Sequence, residues 1–356
     1  MSQPYRVALV AALSSATVLL SACSGGGSAE NPAAPNDATD HSGETVTVTN
    51  CGEEVSFPKK AAGLANDGNL IALNLALDAQ DELVAVSSLN RDRDVLVEKY
   101  GEKVNNLKEI SEEYPSLEQI VAASPQVFYG GWGYGLGEDK NITPDSLATH
   151  DISTYILTEA CRQEGSTARG VENPWDAVRS DLRNVGAITG REDKAEDVIA
   201  DMDARIEALN NAPQAENKPV VFLYDSGTDA VFTSGAKGAP AEMVAAAGAD
   251  YATDDLDDTW VEVGWETLAD AQPDVFVFVD YPGQSFEQKV EQLKKNPATK
   301  DLEAVQQERF INLPYALWTS GPLNIDGAEL VRKGLEEYGL VPESDIQPSL
   351  NVRIDS

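Results

Sequence analysis

The chain has 356 residues, 60 of them acidic against 26 basic, for a formal charge of -34. That balance excludes a nucleic-acid partner, whose phosphates demand Lys and Arg, and otherwise bears mainly on solubility. Only two histidines are present, His41 and His150, so a His-rich zinc or manganese site cannot be built, and neither a metal site nor a resident cofactor is expected.

In chain order, residues 1–22 read as a secretory signal: Arg6 precedes an apolar run over 7–20, then Ser21 and Ala22. The run is about fourteen residues, short of the roughly twenty that span a bilayer. Leu20-Ser21-Ala22-Cys23 resembles the lipobox of bacterial lipoproteins, which implies a lipid on Cys23; an ordinary signal with a chance cysteine is the alternative. Residues 23–44 are Gly, Ser, Asn, Pro and Asp with almost nothing apolar, the composition of a tether. With Cys23 set aside, Cys51 and Cys161 remain, an even pair expected to bond in an oxidising compartment, although two unpaired thiols would satisfy the sequence as well.

About 310 residues then remain, more than one core usually supports, so two lobes are expected. Residues 45–188 form the predicted N-terminal lobe. It opens with a hairpin through Thr45-Val46-Thr47-Val48, a turn at Asn50-Cys51-Gly52, and Val55-Ser56-Phe57. Helical periods at 69–77, 116–123 and 146–150 then alternate with extended runs at 83–87, 126–129 and 154–157, the signature of a largely parallel sheet. Residues 191–211 place Ala195, Val198, Ile199, Met202, Ile206 and Leu209 at three- and four-residue steps, predicting one amphipathic helix of about 30 Å within a linking segment 189–212. A second alternation fills the C-terminal lobe, 213–345, with strands at 220–224, 274–279 and 309–313, helices at 239–247, 265–269, 286–294 and 327–338, and a tail at 346–356. The expected fold class is α/β: two lobes, each a mostly parallel sheet flanked by helices, joined by one long α-helix.

The halves echo each other. Ser116-Leu117-Glu118-Gln119-Ile120 leads to Ser124-Pro125-Gln126-Val127-Phe128, and Gly264-Trp265-Glu266-Thr267-Leu268 leads to Gln272-Pro273-Asp274-Val275-Phe276, with each Glu seven positions before its Pro. Together with the lipobox, the Asn50-Cys51-Gly52 turn, the long helix and Asn296-Pro297-Ala298, this duplicated block resembles the substrate-binding lipoproteins of ABC importers for iron-siderophores, haem and cobalamin. These have the class III periplasmic-binding-protein fold. The resemblance runs from about Thr45 to Leu340. It implies that Glu118 and Glu266 meet arginines of a permease dimer served by its ATPase. The pair Cys51 and Cys161, with Tyr129-Gly130-Gly131-Trp132-Gly133-Tyr134 and Thr158-Glu159-Ala160-Cys161-Arg162, looks like an actinobacterial branch described as binding iron-siderophores, cobalamin or deazaflavin precursors.

Ligands of open α/β sheets lie beyond the carboxyl ends of the strands. The loops there give Asn66, Asp67, Arg91, Arg93, Trp132, Tyr134, Glu159 and Arg162 in the first half, and Tyr224, Asp225, Trp260, Tyr281, Tyr315 and Trp318 in the second. Rings and guanidinium groups suit a flat or oxygen-rich ligand. Trp132 and Tyr134 sit among Gly131, Gly133, Gly135 and Gly137, a loop with little core to fill, whereas Trp175 after Pro174 reads as structural. No Gly-x-Ser-x-Gly elbow or phosphate loop is present. Asp254-Asp255 and Asp257-Asp258 read as solvated surface rather than a calcium site. The expectation is a monomeric receptor outside the cell membrane, held there by lipid alone, with no chemistry of its own; a metal-dependent surface enzyme and a purely structural lipoprotein are the rivals.

Overall fold

The computed structural model describes residues 43–352. The signal segment, Cys23, His41 and nearly all of the tether lie outside the described residues.

Strands β1 (Thr45–Asn50) and β2 (Glu53–Pro58) form the opening hairpin. Its two turn residues, Cys51 and Gly52, both have positive φ, as the commonest tight hairpin turn requires. The first sheet holds β3 (Gly63–Asn66), β4 (Leu83–Ser87), β5 (Glu109–Ser111), β6 (Val127–Trp132), the short β7 (Gly135–Leu136) and β8 (Ser153–Ile156). Around it are α1 (Gly68–Ala76), α2 (Leu89–Tyr100), α3 (Leu117–Ala123) and α4 (Pro144–Ala148). Next come α5 (Pro174–Thr189) and α6 (Glu192–Asn211). The second half runs β9 (Val220–Tyr224), β10 (Val231–Ser234), α7 (Ala239–Ala246), β11 (Asp250–Tyr251), β12 (Trp260–Val263), α8 (Trp265–Ala271), β13 (Val275–Asp280), α9 (Phe286–Lys295), α10 (Glu303–Gln306), β14 (Phe310–Pro314), α11 (Tyr315–Trp318) and α12 (Asn324–Glu337).

Both sheets are parallel and have one topology. The second is ordered β11-β9-β13-β14; the first is β5-β4-β3-β6 with β8 paired on the far side of β6. With the edge strand β5 set aside, in each the first strand lies between the second and the third, and the fourth flanks the third. The repeat extends to detail: α3 and α8 are both seven residues long, both are closed by a residue with positive φ, Ser124 and Gln272, and both lead into the third strand after the same spacing.

The helix expected over 191–211 is α6, which starts one residue later, while the start of the linking segment 189–212 belongs to α5. Thr189 is the last residue of α5, and Gly190 (φ 69°) caps it in the left-handed conformation, where a glycine carries no Cβ penalty. The link is therefore α6 alone, 20 residues, laid against α5 with Arg179 on Asp203 and Arg183 on Glu196. Trp175 is buried at the start of α5, behind the Asn173 cap. One apolar cluster runs from Val48 to Leu350 and takes side chains from both halves; smaller clusters cover the outer faces of the second and first sheets. No helix among the described residues is long and apolar enough to cross a membrane.

Cys51 and Cys161 form a disulfide, with Cα atoms 5.2 Å apart and 110 residues of separation. It ties the hairpin turn to the segment after β8, where Asn50 also donates to Ile156 O (2.7 Å) and accepts from Ile156 N (2.9 Å). Closing so long a loop stabilises the fold by about 2–4 kcal/mol. Cys51→Ser should therefore lower the stability by about that much and steepen the urea slope, because the denatured chain is released from the loop, and non-reduced peptide mapping of the unaltered protein should link the two residues; free thiols at both in fresh protein would refute the bond.

Candidate functional site

The carboxyl end of β3 delivers Asp67, whose φ of 91° is rare for a residue with a side chain and marks a position held by its surroundings. Its Oδ1 accepts from Gly68 N (3.1 Å) and pairs with Arg91, while Oδ2 accepts from the hydroxyls of Tyr114 (2.6 Å) and Tyr315 (3.2 Å). Asp92 takes Arg91 Nε on Oδ2 (3.1 Å) and Ala316 N on Oδ1 (2.9 Å). The Arg91 guanidinium lies 3.8 Å from the Tyr315 ring centre and 5.5 Å from that of Tyr281. Burial works against its charge, but Tyr315 and Asp92 outweigh burial and raise its pKa; burial wins at Asp92, whose pKa is raised. A cation of the first half is thus seated between two acids of its own half and two rings of the other.

Glu159 forms a second junction. Its Oε1 accepts from Tyr134 Oη (2.8 Å) and Trp260 Nε1 (3.0 Å), and its Oε2 from Ala239 N at the start of α7 (3.2 Å). Burial pushes the carboxyl up against the pull of these donors. Beside it Arg169 donates to Trp132 O (2.9 Å) and Trp260 O (3.1 Å), and its backbone N to Asp258 Oδ1 (2.9 Å). Gly133 (φ 84°) admits that guanidinium, because a Cβ there would lie 2.5 Å from Arg169 Nη1.

Two cavities lie along this seam. The larger, ≈ 720 Å³, is lined by Ser88, Asn90, Arg91, Glu112, Glu113, Tyr114 and Lys140 of the first half and by Tyr281, Pro282 and Gly283 of the second. The smaller, ≈ 220 Å³, is lined by Gly133, Tyr134, Arg169, Asp225, Phe232, Trp260 and Tyr315. Tyr114 belongs to one and Tyr315 to the other, and both donate to Asp67 between them. Two further hollows lie elsewhere: one of ≈ 570 Å³ on the second half around Phe286 and Tyr338, and one of ≈ 230 Å³ beside α6. Neither draws on the loops at the carboxyl ends of both sheets.

Of the residues singled out in the sequence, Arg91 and Tyr281 line the larger cavity, while Tyr134, Trp260 and Tyr315 line the smaller with Glu159 behind them. Trp132 is half-buried beneath Arg162, whose guanidinium is 3.7 Å from its ring centre and forked onto Glu138 (2.7 and 3.2 Å). Three do not join. Arg93 turns to Asn90 (3.2 Å) and Glu109 (3.7 Å). Tyr224 pairs in register with Phe278 and packs edge-on to Trp265 in the outer cluster, donating to Gly227 O; alternation along β9 leaves the next residue, Asp225, on the cleft. Trp318 is wholly buried and donates to Phe278 O (3.0 Å). The glycine loop is not loose either: Tyr134 belongs to the main apolar cluster. Asp254, Asp255 and Asp257 are exposed, but Asp258 turns in to Arg169.

Tyr114, Lys140, Arg169 and Phe232 were missed. Tyr114 carried a faint signal, an aromatic in the Glu112-Glu113-Tyr114-Pro115 turn; Arg169 carried none. Glu118 and Glu266 are each the second residue of their helix and exposed. Hydrogen bonds from its own backbone N–H and from Ser116 hold the Glu118 carboxyl below its usual range. A helix leading into a parallel strand runs back along the sheet, so both acids stand at the edge that carries the cleft. His150 is exposed just beyond α4.

A family model described as periplasmic binding protein matches residues 63–317. No curated protein matches the chain. Among solved structures, a periplasmic binding protein from Veillonella parvula superposes with TM-score 0.67 at 23% identity, covering 82% of this chain and 98% of that one. A protein of an ABC-type Fe3+-hydroxamate transport system from Saccharomonospora viridis gives 0.67 at 20%, with 82% and 98% covered. A periplasmic haem-binding protein from Roseiflexus gives 0.59 at 22%, with 77% and 97% covered.

The turn carrying Glu159 is held from behind by Asp181 of α5, which accepts from Tyr155 Oη (2.7 Å), Thr158 Oγ1 (2.7 Å) and Thr158 N (3.0 Å). Burial overrides these donors and raises its pKa from 3.8 to about 7. Because the folded state holds this proton more tightly, the stabilisation is complete below pH 3.8 and is lost as pH rises to about 7. Between those limits, Asp181→Asn should flatten the fall of the urea midpoint with rising pH; an unchanged slope would show that Asp181 is ionised throughout.

Proposed function

We propose, from the premise that this chain belongs to the periplasmic binding protein family, that it is the extracytoplasmic receptor of an ABC importer. In this reading it captures a small ligand between its two halves, presents it to a permease dimer with its ATPase, and performs no chemistry of its own. The observation that carries it is the pair of cavities on the seam, lined by rings and guanidinium groups of both halves. At ≈ 720 Å³ the larger falls in the range of small-molecule sites. The neighbours described as Fe3+-hydroxamate transport and haem-binding proteins support an iron chelate. A siderophore-like chelate, which fills the coordination sphere of its own iron, fits better than haem: no His lines either cavity, and three of the four tyrosine hydroxyls there are engaged, that of Tyr281 in the larger cavity being the exception among the described residues. Tyr114, Tyr134 and Tyr315 donate to Asp67 and Glu159, and burial pushes Tyr114 up to about 12. Corrinoids and deazaflavin precursors remain the alternatives.

A panel of ferric trihydroxamates, ferric catecholates, haem and corrinoids checks this by thermal unfolding of the purified protein. A ligand at a hundred times its Kd stabilises by about 2.7 kcal/mol, and one class should do so; a flat response across the panel would refute the reading.

Delivery to the membrane rests on two further assignments. The lipobox-like sequence ending at Cys23 supports a lipid anchor. Glu118 and Glu266, at matching places of the two halves, support docking on the paired surfaces of a permease dimer; capping of the α3 and α8 N-termini accounts for each acid singly but not for the pair. In cells, Glu118→Ala/Glu266→Ala should lose uptake while the purified variant keeps its affinity, and Cys23→Ala should be shed into the medium. Normal uptake by the first would end the docking assignment, and full retention of the second would end the anchor.

A further inference from the structure

Four rings converge on the smaller cavity: Tyr134, Phe232, Trp260 and Tyr315. Phe232 and Trp260 stack, with centres 5.9 Å apart and planes 26° from parallel. The acid in this wall is Asp225, only 6% exposed. None of the ion pairs among the described residues includes it, and Ser226 is its hydrogen-bonding neighbour. The two cations that act on it through space are engaged elsewhere. Lys289 donates to Val279 O from a wholly buried position, and Arg91 is held by Asp67 and Asp92.

Arg169, the one cation lining the cavity, is committed to the carbonyls of Trp132 and Trp260, with Asp258 3.8 Å from its Nε. Glu159 stands behind Tyr134 and Trp260. Asp225 and Arg169 are the two charged groups that line this aromatic box. The counter-charge on Asp225 acts only through space, from Lys289 and Arg91, and burial still pushes its carboxyl above the ordinary range. Ring faces and a carboxylate that no cation among the described residues touches both favour a positive guest. The volume, ≈ 220 Å³, corresponds to about seven waters: too small for a chelate, sufficient for an alkylammonium end.

We propose that this cavity is a cation subsite which takes the ammonium group of the ligand, against Asp225 and the rings of Trp260 and Phe232. The assignment rests on the receptor reading for the rest of the ligand, which would occupy the larger cavity, but the subsite is testable by itself. The purified full chain is titrated with n-butylammonium chloride, with n-butanol and sodium chloride at equal ionic strength as controls, following tryptophan fluorescence. Saturable binding at least tenfold tighter than butanol is expected, weakened at least tenfold by Asp225→Asn and several-fold by Phe232→Leu, and unchanged in Asp254→Asn, an exposed acid that lines neither cavity. Thermal unfolding confirms that the variants are folded. Equal response to butylammonium and butanol, or a folded Asp225→Asn that binds butylammonium normally, would overturn the subsite. A chain that binds an iron chelate but not butylammonium loses this proposal and keeps the receptor reading; one that binds butylammonium through Asp225 but no member of the panel keeps the subsite and loses the iron ligand.

Discussion

A guanidinium removed from water is destabilising by several kcal/mol unless charge and hydrogen bonds surround it, and Arg91 meets that demand from both halves of the molecule. Asp67 and Asp92 supply the counter-charge, Tyr315 and Tyr281 the faces, and Ala316 N and the Tyr315 hydroxyl tie the same two acids to the second half. Removing any one member leaves a buried charge without its partner, so the group is cooperative. It also fixes geometry: Asp67 holds an unfavourable backbone angle, and the partition between the two cavities is made of its hydrogen bonds to Tyr114 and Tyr315. Cleft shape and interdomain alignment thus depend on the same few atoms.

The rest of the seam has the same character. Glu159 joins Tyr134 to Trp260 and to the first amide of α7, Arg169 bridges Trp132 and Trp260 through their carbonyls, and on the far side Arg205 of α6 holds Asp326 and Glu329 while Lys99 of α2 reaches Asp326. Beneath them the main apolar cluster runs through both halves without a break. Independent motion of two domains is the usual expectation only where their interface is small and polar. Here the interface combines that apolar cluster with the ion pairs above it, a combination that opposes independent motion of the halves.

Periodicity made the fold legible. Alternating short apolar runs and helical periods gave the parallel sheets, and the Glu118 and Glu266 blocks exposed the duplication, because both signals are local and repeat at fixed spacing. The end of α5 was not legible, since Thr189 continues a helical pattern and only the left-handed angle at Gly190 breaks it. Within the site, loops at strand ends were found but side-chain direction was not. Tyr224 and Asp225 are adjacent and face opposite sides of the sheet, and Tyr315 and Trp318 sit on one short helix, with Tyr315 lining the smaller cavity and Trp318 buried in the core. Arg169 was invisible because its partners are distant in the chain; the carbonyls of Trp132 and Trp260 reach it only after folding.

Duplication explains why the two ends of the molecule differ in how much they kept. The segments α3–β6 and α8–β13 agree in helix length, closing residue and position of the acid. At the cleft the halves have diverged. The first contributes most of the charge, in Asp67, Arg91, Asp92, Glu159 and Arg169, and the second much of the aromatic surface, in Phe232, Trp260, Tyr281 and Tyr315. A ligand is not two-fold symmetric, so nothing constrains the inner faces to match. Complementarity between them holds the seam instead: an Arg from one half needs rings from the other, and a Glu from one half needs an indole and a helix terminus from the other. Asp225 departs from that pattern, an acid contributed by the aromatic half that joins no ion pair among the described residues and feels Lys289 and Arg91 only through space.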